Sequence, residues 1–225
     1  MPDVEKSPLL QTHALRVGWD GAAVADLDDL ALEARDASLM LGPSGSGKTT
    51  ALFTLAGLLP PVAGEVRLAG DALWSLPAAR RRALRSSRIA VVFQDMHLLG
   101  GLSVMDNLLL APFAAGARQD RGAAMGSLER LGLAGLADRK ADALSRGEAQ
   151  RVAVARAVLM QPRLILADEP TASLDDDNAE RVGRLLVDAA ADVGAVLVIA
   201  THDRRLMTLV PGRIPLRAPG AEVAA

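Results

Sequence analysis

Residues 37–59 read ASLMLGPSGSGKTTALFTLAGLL, an apolar run, a glycine-rich octet and a helical stretch with no break between them. Ala37–Leu41 is too short for a helix and apolar almost throughout, which is how a strand buried on both faces reads. Lys48–Leu59 reads as the helix that follows. Between them, Gly42-Pro43-Ser44-Gly45-Ser46-Gly47-Lys48-Thr49 matches G-x-x-x-x-G-K-[ST] in the strand–loop–helix context that the motif requires. The glycines let successive backbone N–H groups turn inward on a phosphate chain, and the helix N-terminus adds its positive end. Lys48 is then expected to reach the β- and γ-phosphates and Thr49 to offer a hydroxyl to Mg²⁺, with Thr50 as a further contact. The segment predicts a nucleotide site at a strand end.

The same alternation of short apolar runs with longer helical segments continues along the chain, so the fold expected is α/β with a mainly parallel sheet. Ile89–Phe93 (IAVVF), Leu164–Ala167 (LILA) and Val196–Ala200 (VLVIA) are the other buried strands expected. Before Gly42 the pieces are short and strand-like, and Glu65–Leu73 alternates around a Gly-Asp turn as a hairpin does, which together predict a small antiparallel layer. Further helices are expected at Glu148–Met160 and at Asn178–Val193, where Ala179, Val182, Leu185, Leu186 and Ala189 share a face. Between Gln94 and Ser145 no strand pattern survives, and a helical subdomain (about 95–153) inserted in the core (about 9–94 and 154–216) is the reading. With 23 residues after His202, one domain is expected.

Composition narrows the chemistry. The chain has 225 residues, a net charge of −2 from 25 basic and 27 acidic residues, and nothing global to draw it to nucleic acid or anionic lipid. It has neither Cys nor Tyr, which excludes disulfides, thiolate metal sites and Cys or Tyr nucleophiles. Only three lysines (Lys6, Lys48, Lys140) accompany 22 arginines, and there are three histidines (His13, His97, His202). His13 and His97 have no metal-ligand spacing and receive no role.

Half the residues are hydrophobic and mean hydropathy is +0.22, yet the longest uncharged stretch, Thr49–Gly64, is 16 residues and is broken by Pro60 and Pro61. A bilayer span needs about 20. The N-terminus, with Asp3 and Glu5 beside Lys6 and no apolar run, does not read as a secretion signal. A cytoplasmic protein whose apolar excess lies in a core or against a partner is expected.

A second chemical site is the apolar run Leu164–Ala167 ending in Asp168-Glu169. In P-loop proteins the strand's acid holds Mg²⁺, and a neighbouring acid can take a proton from attacking water. Arg80, Arg81, Arg82, Arg85 and Arg88 form the one basic cluster, and the last two share a helical face with Arg81, which predicts a solvated helix.

Leu144-Ser145-Arg146-Gly147-Glu148, followed by AQRVAVARAVLMQPRLILADEPTASLD, resembles the signature helix, Walker B strand and D-loop of ABC-type ATPases, over roughly Trp19 to His202. The resemblance implies a RecA-like P-loop core with an antiparallel β layer and an inserted helical subdomain. It implies ATP and Mg²⁺ as ligands, with Thr49, Gln94 and Asp168 at the metal. Glu169 would be the general base, Gln94 the Q-loop glutamine, His202 the switch histidine on the γ-phosphate, and Asp175 the D-loop aspartate. Trp19 lies where relatives stack an aromatic ring on adenine. Ser145 and Gly147 would meet ATP on a second subunit, in a head-to-tail homodimer or a heterodimer with a related subunit. Ser145 and Glu148 also form S-x-x-E, an ordinary capping box. The family pattern LSGGQ has glycine where this chain has Arg146, a departure that either strengthens ATP contact or hinders close approach.

Without a span, a transport role requires separate integral membrane subunits, so the resemblance places the chain at the cytoplasmic side of the membrane. Phe93-Gln94-Asp95-Met96-His97-Leu98-Leu99 and the pair Asp106-Asn107 are similar to the branch of lipoprotein-releasing, macrolide-exporting and cell-division ATPases, which often act as mechanical drivers. The alternative is an ATP-dependent switch with slow hydrolysis. A P-loop kinase would have no use for LSRGE or His202. In DNA-repair relatives the signature usually lies hundreds of residues from the P-loop, whereas here Lys48 and Ser145 are 97 apart.

Overall fold

A computed structural model describes residues 8–172 and 174–220; Asp3, Glu5, Lys6 and Ser173 lie outside the described residues. The chain forms two sheets. The antiparallel one holds β1 (Leu10–Trp19), β2 (Ala22–Leu27), β3 (Leu30–Leu32), β5 (Ala63–Leu68), β6 (Asp71–Ala72) and β11 (Leu216–Arg217). The parallel one has the order β10 (Gly212–Arg213), β4 (Ala37–Leu41), β9 (Val196–Thr201), β8 (Leu164–Asp168) and β7 (Ile89–Val92). The helices are α1 (Lys48–Leu55), α2 (Ala78–Arg88), α3 (Val104–Ala114), α4 (Arg121–Arg130), α5 (Arg146–Val158) and α6 (Asp176–Val193).

Period-two alternation in the buried strands explains the layering. In β8, Leu164 and Leu166 face one way, and in β9 Val196, Val198 and Ala200 do the same. With Met40 of β4 they pack on Ala51, Leu52 and Leu55 of α1, whose other side meets Leu10, Leu15, Val17, Val66 and Leu68 of the antiparallel sheet. The intervening residues, Leu39, Ile165, Ala167, Leu197 and Ile199, face the opposite side and pack on α5 and α6. The P-loop helix is therefore held between two sheets. A third cluster joins Val104, Met105, Leu108 and Leu109 of α3 and Leu128 of α4 to Val152 and Ala155 of α5. Residue 153 falls inside α5, which contributes to both the helical cluster and the core, so a boundary there divides a single helix.

Local chemistry sets the element ends. α1 stops at Leu55, short of Leu59, because Gly57 turns the chain at φ +68. α6 starts at Asp176, two residues before Asn178, because the Asp175 carboxylate accepts from the Asn178 N–H at 2.9 Å. In α5 the capping box is complete: the Ser145 N–H donates to Glu148 Oε2 at 2.7 Å, and the Glu148 N–H donates to Ser145 Oγ at 3.3 Å. The Ser145 N–H, and the Ser145 hydroxyl donating to the same oxygen at 2.8 Å, hold the Glu148 carboxyl below its ordinary pKa.

Most of the basic helix α2 is exposed, as a solvated helix should be, and only Leu84 is buried. Arg81 lies 4.4 Å over the Trp74 ring, Arg85 donates to the Gly57 carbonyl at 3.2 Å, and Arg88 pairs with Asp71 at 3.1 Å. Arg81 and Arg85 thus fasten α2 to its neighbours, whereas the Arg88 pair lies at the surface and Arg80 and Arg82 are exposed.

Candidate nucleotide-binding site

The P-loop runs from the end of β4 to the start of α1 and turns through Gly45 at φ +81 and Gly47 at φ +91, conformations that favour glycine. A Cβ on Gly47 would also come within 3.0 Å of Ala25 Cβ and 3.2 Å of Val24 Cγ1, so β2 buttresses the loop. Ser46 Oγ is buried without a partner among the described residues, and a Cβ on Gly42 would lie 2.5 Å from it. Lys48 is buried; its Nζ donates to the carbonyls of Gly42 at 2.7 Å and Pro43 at 3.0 Å, and stands 3.7 Å from Glu169 Oε1.

Strand parity brings the acids to this loop. Asp168 has the orientation of Leu164 and Leu166, toward α1, and Thr49 Oγ1 donates to its Oδ2 at 2.9 Å. Its Oδ1 is buried with no partner among the described residues. Burial pushes the Asp168 carboxyl up from its ordinary pKa, as does nearby Glu169, against the downward pull of the Thr49 hydrogen bond and Lys48. An unpartnered carboxylate oxygen beside a hydroxyl is an all-oxygen donor set suited to a hard divalent cation, so these residues fit Mg²⁺.

Glu169 leaves the strand at φ +46, an uncommon conformation for a residue with a side chain, held by its N–H donating to the Ala200 carbonyl at 2.8 Å. Its Oε2 accepts from Thr201 Oγ1 at 3.0 Å, and its Oε1 lies 2.9 Å from Nδ1 of the exposed His202. Parallel pairing of β8 with β9, Asp168 opposite Ala200, sets this register.

The remaining expected residues are placed separately. Trp19, at the end of β1, is half exposed and donates from Nε1 to Thr50 Oγ1 at 3.1 Å, beside the first turn of α1. Gln94 is exposed in a turn two residues past β7 and makes no side-chain hydrogen bond within the described residues. That turn is held from α5, where Arg156 donates to the carbonyls of Met96 at 2.6 Å and His97 at 2.8 Å, and His97 stacks on Phe93 with ring centroids 4.5 Å apart. Burial lowers the Arg156 pKa from its ordinary value. Ser145 and Gly147 lie at the α5 N-terminus, bonded to neither the P-loop nor the Asp168 cluster, and a Cβ on Gly147 would meet nothing within 4 Å. Arg146 turns back to donate to the Ala172 carbonyl at 3.2 Å. Sequence reasoning missed Thr201, Asp203, Thr171, Arg205 and Arg156, although Thr201 and Asp203 flank His202 directly.

A P-loop at a parallel strand end, adjoining an acid pair and carrying an inserted helical body, defines a nucleotide-hydrolysing cassette. The family model for ABC transporter matches residues 27–172, and the chain belongs to that family, as an ATP-binding and ATP-hydrolysing subunit. It is 38% identical over 192 residues to the lipoprotein-releasing system ATP-binding protein LolD of Nitratidesulfovibrio vulgaris, covering 84% of this chain and 82% of that protein. Among solved structures, cbiO1 from Clostridium perfringens, part of the ABC transporter complex cbiONQ, superposes with TM-score 0.80 at 26% identity, over 92% of this chain and 87% of that one. The ATP-binding cassette MJ0796, in a dimeric post-hydrolysis state bound to ADP and Pi, does so with TM-score 0.79 at 28% identity, over 92% of this chain and 94% of its own. Among the described residues no helix is long and apolar enough to cross a membrane.

Proposed function

We propose that two copies of this cassette, or one copy and a related subunit, close head-to-tail on two ATP molecules and drive separate membrane subunits of a lipoprotein-releasing type of transporter from the cytoplasmic face. The single observation that carries the hydrolytic part is the arrangement of Lys48, Thr49, Asp168, Glu169 and His202 at adjacent ends of β4, β8 and β9. The P-loop amides of residues 42–47 and the α1 N-terminus receive the phosphates, and Lys48 exchanges the Gly42 and Pro43 carbonyls for phosphate oxygens. Trp19 offers its exposed ring to the adenine and Thr50 stays bonded to its indole. Mg²⁺, held by Thr49 and Asp168 with Gln94 brought up to it, supplies charge neutralisation on the phosphates.

Glu169 takes the proton from a water whose oxygen attacks the γ-phosphorus in line, as the bond to the β-phosphate oxygen breaks. The Thr201 hydroxyl bond orients that carboxylate. His202, now bonded to Glu169, turns to the γ-phosphate oxygens when they are present. Ser145 and Gly147 serve the partner's ATP, because within the chain they meet no part of its own P-loop, and Asp175 braces the D-loop between the sites as the α6 cap.

For the membrane partner, the surface between core and helical body offers a groove of about 360 Å³ lined by Leu58, Phe93, Leu110 and Ala111 with Arg85 and Arg156. Leu58, Leu99 and Phe113 are exposed, an uncommon loss of apolar burial that a helix of a membrane subunit would recover.

The test is Glu169→Gln. The variant is expected to bind ATP with wild-type affinity in a filter or fluorescence assay and to release no phosphate. Steady turnover near the wild-type rate removes Glu169 from the role of base.

A further inference from the structure

Beyond the residues that meet nucleotide, a second network runs from Glu169 away from the P-loop. Thr201 Oγ1, which donates to Glu169, accepts from the Asp203 N–H at 3.0 Å. The Asp203 carboxylate accepts from the fully buried Thr171 hydroxyl at 2.7 Å and from Arg205 Nε at 2.8 Å and Nη2 at 2.8 Å. Arg205 spends its remaining nitrogen, Nη1, on the Leu174 carbonyl at 3.3 Å and on Asp176 Oδ1 at 2.6 Å. All three nitrogens of one planar fork are thereby used: two grip Asp203 within the loop after β9, and the third ties that loop to the segment after β8.

The other side of that segment is held by Arg146. At the third signature position the family pattern has glycine, which has no donor to offer. Here the guanidinium reaches the Ala172 carbonyl at 3.2 Å, a contact from the helical body to the core. Arg146 is thus engaged within its own chain.

We propose that Arg146 and Arg205 are positioning residues for hydrolysis: they hold Ala172 from one side and Leu174 and Asp176 from the other, so that the loop of His202 and the helix of Ser145 and Gly147 move together. Within the chain neither is bonded to the P-loop, Asp168 or Glu169. Loss of either leaves ATP contacts intact and uncouples the approach of the signature helix from the state of Glu169 and His202. The consequence for turnover rests on the roles proposed above for those residues, whereas the clamp itself does not.

The experiment compares wild type, Arg146→Ala, Arg205→Ala, the double variant, Arg146→Lys and Arg205→Lys. Each alanine variant is expected to lower kcat about three- to tenfold with the ATP dissociation constant unchanged, the double variant falling by less than the product of the two. Arg146→Lys should keep most activity, since one cationic donor serves one carbonyl. Arg205→Lys should not, since three nitrogens are in use. Native-state hydrogen exchange of the amides at 174–178, with no nucleotide added, should rise in both alanine variants. Unchanged exchange overturns the clamp whatever the activity. Raised exchange with multiplicative losses, or with ATP affinity falling as much as kcat, overturns its coupling role. A wild type that binds but never hydrolyses ATP overturns the hydrolytic roles of Glu169 and His202, and the exchange measurement still decides the clamp.

Discussion

Asp203 stands one residue past His202, and Arg205 and Thr171 between them hold its carboxyl pKa at about 2, against an ordinary value of 3.8. A folded-state pKa below the unfolded one contributes its full stability while the group is ionised in both states, and none once it is protonated in the folded one. The contribution is complete above about pH 4 and is lost as pH falls from there toward 2. Its size is about 1–2 kcal/mol, below the full value of the shift because Arg205 is partly exposed. Urea unfolding of wild type and Asp203→Asn should therefore show a gap at pH 6 that narrows steadily between pH 4 and pH 3, and a constant gap contradicts the pairing. Lys48, Thr49, Asp168, Glu169 and His202 were legible in the sequence because each belongs to a short local pattern. Thr201, Thr171 and Arg205 were not, because their roles depend on the register of β8 against β9, which brings residues 31 or 32 positions apart together.

Elements were legible where burial on both faces removes any competing pattern. Ala37–Leu41 has the expected bounds, and β8 and β9 each extend one residue beyond them, to Asp168 and Thr201. Bounds moved where a turn or a cap decides, at Gly57 after α1 and at Asp175 before α6. The solvated reading of α2 holds for most of the helix, where only Leu84 is buried, but a charge run shows neither Trp74 beneath Arg81 nor the Gly57 carbonyl beneath Arg85. Asn107 shows the same limit within α3. Its pairing with Asp106 marks a family branch, but its amide is fully buried, accepts from the Leu99 N–H at 2.8 Å and donates to the carbonyls of Leu99 at 3.1 Å and Ser103 at 3.0 Å. It fastens the segment after Gln94 to α3. Asn107→Ala leaves the Leu99 N–H without its partner and takes one of two donors from the Leu99 and Ser103 carbonyls, and should lower stability by about 1–3 kcal/mol. Exchange protection at residues 98–103 should fall first, while an unchanged melting temperature would mean the segment is held by other contacts.

At the scale of the molecule, most of the buried apolar residues described fall into three clusters, and α5 is shared by two of them. One end of α5 carries Ser145 and Gly147; its last turns carry Arg156, whose two hydrogen bonds hold the turn after Gln94. A displacement of the turn after Gln94 would therefore act on the same helix that carries the signature end. If a membrane subunit seats in the groove between core and helical body and continues along α3, which lines it with Leu110 and Ala111, its grip also draws on exposed apolar groups of α3 outside the groove. Phe113 is 67% exposed, so Phe113→Ser should leave the melting temperature and ATP affinity unchanged. The fraction of the chain recovered with membranes from cells expressing it at native level should drop several-fold, and stimulation of its ATPase by those membranes should drop with it. Full recovery and full stimulation would place the docking surface elsewhere on the molecule and detach α5 from the transmission of force.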